Sequence, residues 1–438
     1  MTFFYSVNVA AALLLLFWPV WFARVLLRLP WVNPLTIILI TSLPVDLMVL
    51  LAGSLTLDEG LFDEGYQFAL LMNSTLILAQ ICGATFFYKL AKVVGAHRYL
   101  PFQSVFLKPR KLRFGSLVFF CIFLFSLFML ASAEFGVANW LMNPREGYQL
   151  YRAGQGHWYA LANSAMSVSF VLALLSLPTA LNVLGSTMLY LVFGYFLGTK
   201  VVFLSIFTTS IIVLWFLRWH HLGKLMLVGT PMVFCLMVWN LYLALGDGIG
   251  LDTIVSYFDH FMNGANYYRS YLNNELNLFN GEVFISSLWA YVPRALWPDK
   301  PWVYGVTLVN EIFYPGQAEL TNTPAFGGAV EQFADFGPFG VVLSGFFGAK
   351  AILTGLLSYL IFRKPTLQFN RVTLAMVMLI LVQYAPAFGN FLPAGLYLFQ
   401  LLVVVLLIRL TLHSPRRISN AGNRRRTSDD LAVNGNAQ

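Results

Sequence analysis

Charge is scarce in this 438-residue chain: only 11% of the residues are charged, whereas 58% are hydrophobic. A soluble domain carries roughly 25% charged residues, so this composition excludes a chain that folds with a fully water-exposed surface. Long apolar runs recur along the sequence, among them LVFFCIFLFSLFMLA and LYLFQLLVVVLLI. Each belongs to a stretch long enough to cross roughly 30 Å of hydrocarbon as a helix. The sequence therefore predicts an all-α polytopic integral membrane protein.

Cysteine is also scarce, and each of the three cysteines lies in an apolar run. We expect Cys82, Cys121 and Cys235 to be core residues, which excludes a disulfide framework and a cysteine metal pair. The sequence lacks a Walker loop, an HExxH motif and a GxSxG motif. The signatures of P-loop NTPases, zinc proteases and serine hydrolases are therefore missing.

The apolar runs predict about eleven transmembrane helices within a transmembrane domain that spans residues 1–411. These helices are expected near residues 4–27, 34–56, 67–90, 114–135, 158–177, 181–198, 201–218, 225–245, 336–362, 372–389 and 393–411. Residues 412–438 are polar and basic, and they are predicted to form a disordered cytoplasmic tail that contacts anionic lipid.

Lysine and arginine are divided unequally between alternate connections. Twenty of the 27 fall in the set that includes the tail, six fall in the opposite set, and Lys350 lies inside a predicted span. Cytoplasmic connections carry the excess of positive charge, so we expect the N-terminus to lie outside and the C-terminus to lie in the cytoplasm. The net charge of +8 then reflects topology and does not indicate nucleic-acid binding.

Two outer connections are long enough to carry function. The medium loop spans residues 136–157, and the long loop spans residues 246–335. A long loop in a membrane protein is usually functional or a folded subdomain. Within the long loop, GEVFISSLWAYVPRALWP is predicted to lie along the membrane surface as an amphipathic segment.

The two outer loops share a pattern. The medium loop reads NPREGYQLYRAGQG and the long loop reads VPRALWPDKPWVYG, so in each a proline precedes an arginine and a glycine follows after ten residues. The pairs are Arg145 with Gly156 and Arg294 with Gly305. One such match carries little information, but two matches on the same predicted face, both rich in aromatic residues, indicate a shared role.

These paired loops resemble those of Wzy-type O-antigen polymerases. The stretch from Pro293 to Gly340, which contains WPDKP and GGAVEQFADFGPFG, is similar to the wider family of oligosaccharide repeat-unit polymerases. The resemblance implies a GT-C-like membrane glycosyltransferase that joins undecaprenyl-diphosphate-linked repeat units, as donor and acceptor, on the periplasmic face. It also implies a few more helices than eleven and a chain-length regulator protein as a partner.

The outer cations fit a diphosphate substrate, because arginine stays charged and grips phosphate oxygens bidentately. Arg145 and Arg294 are the candidate catalytic cations, since charge grows on the leaving diphosphate. Further candidate diphosphate ligands are Arg152, Arg269, Lys300 and Lys350. The plainer alternatives are that the arginines snorkel to lipid phosphates and that Lys300 forms a turn ion pair with Asp299. The arginines supply the positive charge, so no metal and no other cofactor is required.

The sugar acceptor needs a general base. Glu331 is the first candidate and His157, beside Gly156, is the second; the plainer alternatives are a helix-entry role and a structural role. Aromatic residues of the loops, Tyr151, Trp297 and Trp302, are candidates for contact with sugar faces, although interfacial tryptophan and tyrosine also anchor helices in membranes.

One further pair of charges lies within predicted spans. Asp46 falls in the second predicted helix and Lys350 in the ninth. An unpaired charge there costs roughly 2.5–3.5 kcal/mol, so we expect both to face the bundle interior and to pair with each other.

Other functions stay open at this point. An O-antigen ligase, which transfers the finished glycan to the lipid A core, would share the arginines and the long outer loop. A transporter for polysaccharide or lipid-linked sugar would show inverted repeats and midplane charges, and no convincing repeat is visible. A structural scaffold is the weakest option. The paired Pro-Arg loops and the GGAVEQFADFG stretch favour a polymerase.

Overall fold

The computed structural model describes a helical protein. It covers residues 10, 13–14, 17–29, 64–95, 109–133, 136–150, 156–176, 179–199, 201–216, 222–245, 250, 261–292, 296–317, 324–362, 377 and 406. Within these ranges every regular element is a helix and no strand occurs, which confirms the all-α polytopic class.

Thirteen α-helices follow one another in the described ranges. They are α1 (Glu64–Val94), α2 (Pro109–Ala133), α3 (Val137–Met142), α4 (Pro144–Leu150), α5 (Gly156–Ser176), α6 (Ala180–Tyr195), α7 (Val201–Phe216), α8 (Leu222–Leu245), α9 (Phe261–Leu272), α10 (Glu282–Ser287), α11 (Thr307–Phe313), α12 (Val330–Phe347) and α13 (Ala349–Phe362). A π-helical turn at Phe22–Leu26 and a 3₁₀ turn at Leu288–Tyr291 complete the set.

Five stretches are long and apolar enough to cross a membrane. They are Glu64–Val94, Pro109–Ala133, Trp158–Ser176, Leu222–Trp239 and Val330–Ile361, and α6 and α7 are shorter apolar helices. Seven of the predicted spans therefore coincide with apolar helices. The predicted span at 34–56 and the tail 412–438 lie outside the described residues. The same holds for 372–389 apart from residue 377, for 393–411 apart from residue 406, and for ten of the 24 residues of 4–27.

Local sequence signals mark several helix ends. Pro109 occupies the first position of α2, where its missing N–H costs nothing. Thr179 caps α6, because its hydroxyl accepts a hydrogen bond from the Asn182 backbone N–H at 3.3 Å. α1 ends at Gly95, which has a φ of +66° and donates to the Lys92 carbonyl.

The first core forms where α2 and α5 pack along their length, with α6 and α7 beside them. A buried polar cluster joins three of these helices. The Ser116 hydroxyl donates to the Ser169 carbonyl at 2.9 Å, and the Ser169 hydroxyl bonds to the Tyr190 hydroxyl. In an apolar surrounding, these bonds satisfy hydroxyl groups that would otherwise be costly to bury.

The second core joins α1 to α9 and to the start of α12. Its centre is aromatic, with Tyr268 and Phe333 at a centroid distance of 4.9 Å and Phe68 against both rings. This core fixes part of the long loop directly onto a membrane-spanning helix.

Glycines bring α1 close to α12 and α13. A β-carbon on Gly83 would overlap the Phe346 carbonyl, and one on Gly355 would overlap the Ala84 carbonyl. Small residues at such contacts let helix backbones approach each other, which is the usual basis of packing between helices in membranes.

Two findings correct the sequence expectations about spans and cysteines. The predicted helix 336–362 begins earlier, at Val330, kinks at Gly337–Pro338 and breaks at Gly348, where ψ is 154°. Cys121 and Cys235 are exposed and not in the core, because an apolar helix in a membrane protein also turns apolar residues towards lipid.

Lys350 lies just after the break at Gly348 and is partly buried, whereas its expected partner Asp46 lies outside the described residues.

Candidate functional site

The long loop contains a folded subdomain. Three helices, α9, α10 and α11, lie within the predicted loop and pack against α1 and α12. The sequence predicted one amphipathic surface segment in this region and favoured a functional loop or a folded subdomain. In the structure its first part is the short helix α10, which buries Val283 and Ser286 and exposes Ile285.

The Gly327-Gly328 pair allows the chain to pass between α1 and α9. A β-carbon on Gly328 would overlap Ala69, and one on Gly264 would overlap the Gly327 carbonyl. The Tyr268 hydroxyl donates to the Gly328 carbonyl at 2.5 Å. Burial raises the pKa of Tyr268 well above its ordinary value, so this hydroxyl stays protonated as a donor. The GGAVE motif is therefore placed rigidly at the start of α12.

Glu331 lies in the first turn of α12, because this helix begins at Val330 and not near Phe336 as predicted. Its neighbours Val330 and Gln332 are buried, while Glu331 itself is partly exposed. Within the described parts of the chain, no side chain or backbone group forms a hydrogen bond or ion pair with its carboxylate. A carboxylate without such a partner is chemically able to accept a proton, and the role of Glu331 as a base stays a prediction.

Asp335, one turn after Glu331, binds the long loop and was missed by the sequence analysis. Its carboxylate is buried and accepts backbone N–H bonds from Gly281 at 3.1 Å, Val283 at 3.0 Å and Phe284 at 2.7 Å. These donors are the first N–H groups of α10, which have no partner inside their own helix. Asp335 therefore caps a helix that lies more than fifty residues earlier in the chain.

Backbone bonds reinforce this junction. Phe279 donates to the Ala334 carbonyl at 2.8 Å, and Asn280 donates to the Asp335 carbonyl at 3.1 Å. Pro338 has no backbone N–H, so the Ala334 carbonyl four residues earlier lacks its usual helical donor. The kink at Gly337–Pro338 thus frees acceptors that the long loop uses. Asn280 and Gly281, both with positive φ, form the turn that presents the donors.

The segment 288–305, which we call the Pro-Arg segment, carries several predicted site residues. Trp297 packs edge to face on Trp289 at a centroid distance of 5.6 Å, and the Tyr304 ring is tilted against Trp289 at a centroid distance of 6.4 Å. Gly305 has a φ of +59° and its N–H donates to the Ser286 hydroxyl at 2.8 Å. The end of this segment is therefore tied to α10.

Lys300 is held inside the Pro-Arg segment. It is only 7% exposed, its ammonium donates to the Val292 carbonyl at 3.2 Å, and it lies 4.7 Å from the centre of the Tyr304 ring. The Val292 carbonyl directly precedes Pro293-Arg294. The lysine thus fixes the backbone that leads into the arginine, and its predicted contact with substrate stays a prediction.

Two further predicted residues lie at the surface of the subdomain. Trp302 is 46% exposed, so much of its ring is available to a ligand or to lipid. Arg269 is exposed in the last turn of α9, and its guanidinium donates to the Asn266 side-chain oxygen at 3.2 Å. Its stem lies against Gly65 at the start of α1.

The medium loop packs on the turn between α6 and α7. Trp140 is buried and its indole N–H donates to the Phe196 carbonyl at 2.7 Å, while Gly147 lies against the Trp140 ring. The Arg145 guanidinium donates to the Gly198 carbonyl at 3.4 Å. This contact orients a partly exposed arginine at the end of the bundle, and neither Trp140 nor Gly198 carried a signal in the sequence that predicted it.

Five predicted site residues lie wholly or partly outside what the structure describes. Arg294, Arg152 and Tyr151 lie outside the described residues, and Gly156 and His157 are described only as the first backbone positions of α5. The structure thus brings Trp297, Lys300 and Gly305 together and links them through α10 to the helix that carries Glu331. A groove of about 310 Å³ between α6, α7 and α8, with Lys224 at one end, contains none of the predicted residues.

The chain is similar in sequence to two known proteins over part of its length. No family model matches the chain, and no solved structure matches it. The chain is 27% identical over 247 residues to proteins named O-antigen polymerase from Salmonella typhimurium and from Salmonella typhi. The matched region covers 55% of this chain and 58% of each relative. The name of both relatives agrees with the family that the outer loops resemble, and the chain spans less than two thirds of their length.

Proposed function

We propose that this chain polymerises undecaprenyl-diphosphate-linked oligosaccharide repeat units into O-antigen polysaccharide on the periplasmic face of the bacterial inner membrane. The observation that carries the proposal is the 27% identity over 247 residues to two proteins named O-antigen polymerase. The all-helical membrane architecture supports it, because a lipid-linked substrate is presented at the bilayer surface.

The proposed reaction is a glycosyl transfer. A hydroxyl of the incoming repeat unit forms a bond to the anomeric carbon of the growing chain, and the bond from that carbon to the diphosphate breaks. The bonding electron pair leaves with undecaprenyl diphosphate, and the hydroxyl proton passes to a base. The barrier therefore falls if cations stabilise the leaving diphosphate and a carboxylate accepts the proton.

The cations we assign to the diphosphate are Arg145 and Arg294, with Arg152, Arg269 and Lys350 as further contacts. Each charge-assisted hydrogen bond contributes roughly 1.5–3 kcal/mol, so two arginines are enough to change the rate by several orders of magnitude. Arg145 supports this role by its partly exposed position at the end of the bundle. Since these guanidinium groups supply the charge, the reaction we propose is metal-independent.

The base we assign is Glu331, with His157 as second choice. Support comes from the absence of a competing partner for the Glu331 carboxylate among the described residues. The exposed ring of Trp302 is suited to stacking on a sugar face, and Trp297 and Lys300 hold the Pro-Arg segment in shape. A chain-length regulator protein is the partner we propose beside the enzyme.

The test is a gel of lipopolysaccharide from cells that lack this chain, with complementation by the wild-type chain as the control. If the chain is a polymerase, cells that lack it should make lipopolysaccharide with a single repeat unit, and complementation should restore the ladder. Lipopolysaccharide without any repeat unit would instead identify a ligase. An unchanged ladder would contradict both functions.

A further inference from the structure

We propose that Asp335 is a positioning residue that holds the Pro-Arg segment in register with the helix that carries the candidate base. This inference rests on the proposed function, since it assigns a role to Asp335 in that same site. It is carried by the bonds between α12 and the long loop.

The first step is the geometry of the junction. One buried carboxylate accepts N–H bonds from Gly281, Val283 and Phe284, and the adjacent carbonyls of Ala334 and Asp335 accept two more from Phe279 and Asn280. Five backbone donors of one short stretch therefore end on two consecutive residues of α12. The sequence FADFGP supplies both kinds of acceptor, because Pro338 removes a helical donor and Asp335 adds a carboxylate.

The second step is the connection from α10 to the Pro-Arg segment. Ser286 in α10 accepts the Gly305 N–H at 2.8 Å, and Trp289 in the following turn packs against Trp297 and Tyr304. A displacement of α10 would therefore move the described parts of the Pro-Arg segment, residues 288–292 and 296–305. Glu331 lies one helical turn before Asp335, so the junction sets the position of the segment relative to that carboxylate.

The third step is the difference between the two carboxylates of this helix. Asp335 is only 4% exposed and its two oxygens are both engaged by backbone donors, so it cannot take a proton from substrate without losing the junction. Glu331 has no partner among the described groups. Asp335 therefore acts through position, and its loss should lower the rate without changing the identity of the base.

The variant is Asp335→Asn, which keeps the size of the side chain but removes its charge and replaces one acceptor oxygen by an NH₂ donor. In purified full-length protein, hydrogen–deuterium exchange at residues 279–288 should become at least roughly tenfold faster, while exchange in α9 stays unchanged. Polymerisation of undecaprenyl-diphosphate-linked repeat units should fall by about tenfold to a hundredfold, the loss expected when reacting groups shift by about 1 Å. The pH profile of the residual activity should keep its wild-type shape.

A second variant perturbs the same junction from the other side. Gly281→Ala places a side chain at a φ of +98°, with its β-carbon 3.3 Å from the Phe336 ring, and should reproduce both effects. The matched controls are Glu282→Gln, an exposed acidic residue of the same helix, and Gly316→Ala, a positive-φ glycine with open space around it. Neither should change exchange at 279–288.

The outcomes separate this inference from the proposed function. Faster exchange at 279–288 with full activity would overturn the positioning role, and so would unchanged exchange in both variants. A changed pH profile would overturn it too, because Asp335 would then take part in proton transfer. If the wild-type protein itself makes no polymer, the proposed function fails, whereas the exchange data still report on the junction.

Discussion

At the scale of single residues, two carboxylates of one helix have different surroundings. Asp335 is buried, and its carboxylate accepts hydrogen bonds from three backbone N–H groups. Glu331 is partly exposed and has no partner among the described residues. A general base must be free to receive a proton within hydrogen-bond reach of the substrate. Of the two acidic residues in α12, only Glu331 has a carboxylate without a partner among the described residues.

Glu331→Gln should therefore reduce polymerisation by about a hundredfold or more, the usual contribution of a general base. The measurement is the rate of chain elongation in membranes that contain equal amounts of wild-type and variant protein. Glu275→Gln, which removes an exposed carboxylate of the same subdomain, is the control and should leave the rate unchanged. A normal rate in Glu331→Gln would transfer the role to His157 or to another group.

The sequence suggests Glu331 as a candidate base, which stays a prediction, but it gives no sign of Asp335. Glu331 stands out because it lies just before the helix predicted to start near Phe336. The donors to Asp335 lie more than fifty residues away in the chain, and no local pattern connects them. An Asn-Gly dipeptide such as Asn280-Gly281 is typical of a turn, but it does not indicate which carboxylate the N–H groups of that turn will bind.

At the scale of helices, close packing of α1 on α12 and α13 depends on glycine. Gly83 and Gly355 lie where a β-carbon would overlap a backbone carbonyl of the opposite helix, and Gly345 lies equally close to Ala79. Because backbone cannot give way as a flexible side chain does, these positions accept no larger residue without separation of the helices. This contact with α1 also fixes the position of α12, the helix that contains Glu331 and Asp335.

Gly355→Leu should destabilise the protein, since overpacking of this kind costs roughly 1–3 kcal/mol. The measurement is the apparent melting temperature of the purified protein in detergent, which should fall by several degrees. Gly185→Leu is the matched control, because Gly185 lies in the apolar helix α6 with nothing within 4 Å of an added β-carbon. Equal melting temperatures for the two variants would contradict the tight interface.

Hydrophobic runs predicted the long helices well but not their interruptions. Seven predicted spans coincide with apolar helices, because the length of an apolar run is set by the thickness of the bilayer. The break at Gly348 lies two residues before Lys350, inside a run that is long enough to be predicted as one span, so the length of the run gave no sign of it. The helices of the long loop were missed because they are short. Each buries a few apolar residues against α1 and α12 and has no long apolar run that would mark it in the sequence.

At the scale of the whole molecule, the distribution of charge predicts which end of the bundle faces the periplasm. The excess of lysine and arginine lies in the connections opposite to the medium and long loops. The same rule places Trp302 of the long loop outside and Val93, at the end of α1, inside. Both side chains are well exposed in the structure and suit labelling.

Single cysteines at these two positions test the orientation, in a background where Cys82, Cys121 and Cys235 are replaced by serine. A maleimide that cannot cross membranes should label Trp302→Cys in spheroplasts, and it should label Val93→Cys only after permeabilisation. The reverse pattern would place the long loop in the cytoplasm and would remove the periplasmic site.

We propose that arginines of the two outer loops stabilise the leaving diphosphate during chain elongation. The test is the rate at which purified protein elongates undecaprenyl-diphosphate-linked repeat units, compared for Arg145→Ala, Arg294→Ala and Arg113→Ala; Arg113 is an exposed arginine of the predicted cytoplasmic side. We expect the rate to fall by about tenfold or more in each of the first two variants, in line with the loss of a charge-assisted bond, and to be unchanged in the third. Wild-type rates in both Arg145→Ala and Arg294→Ala would contradict it.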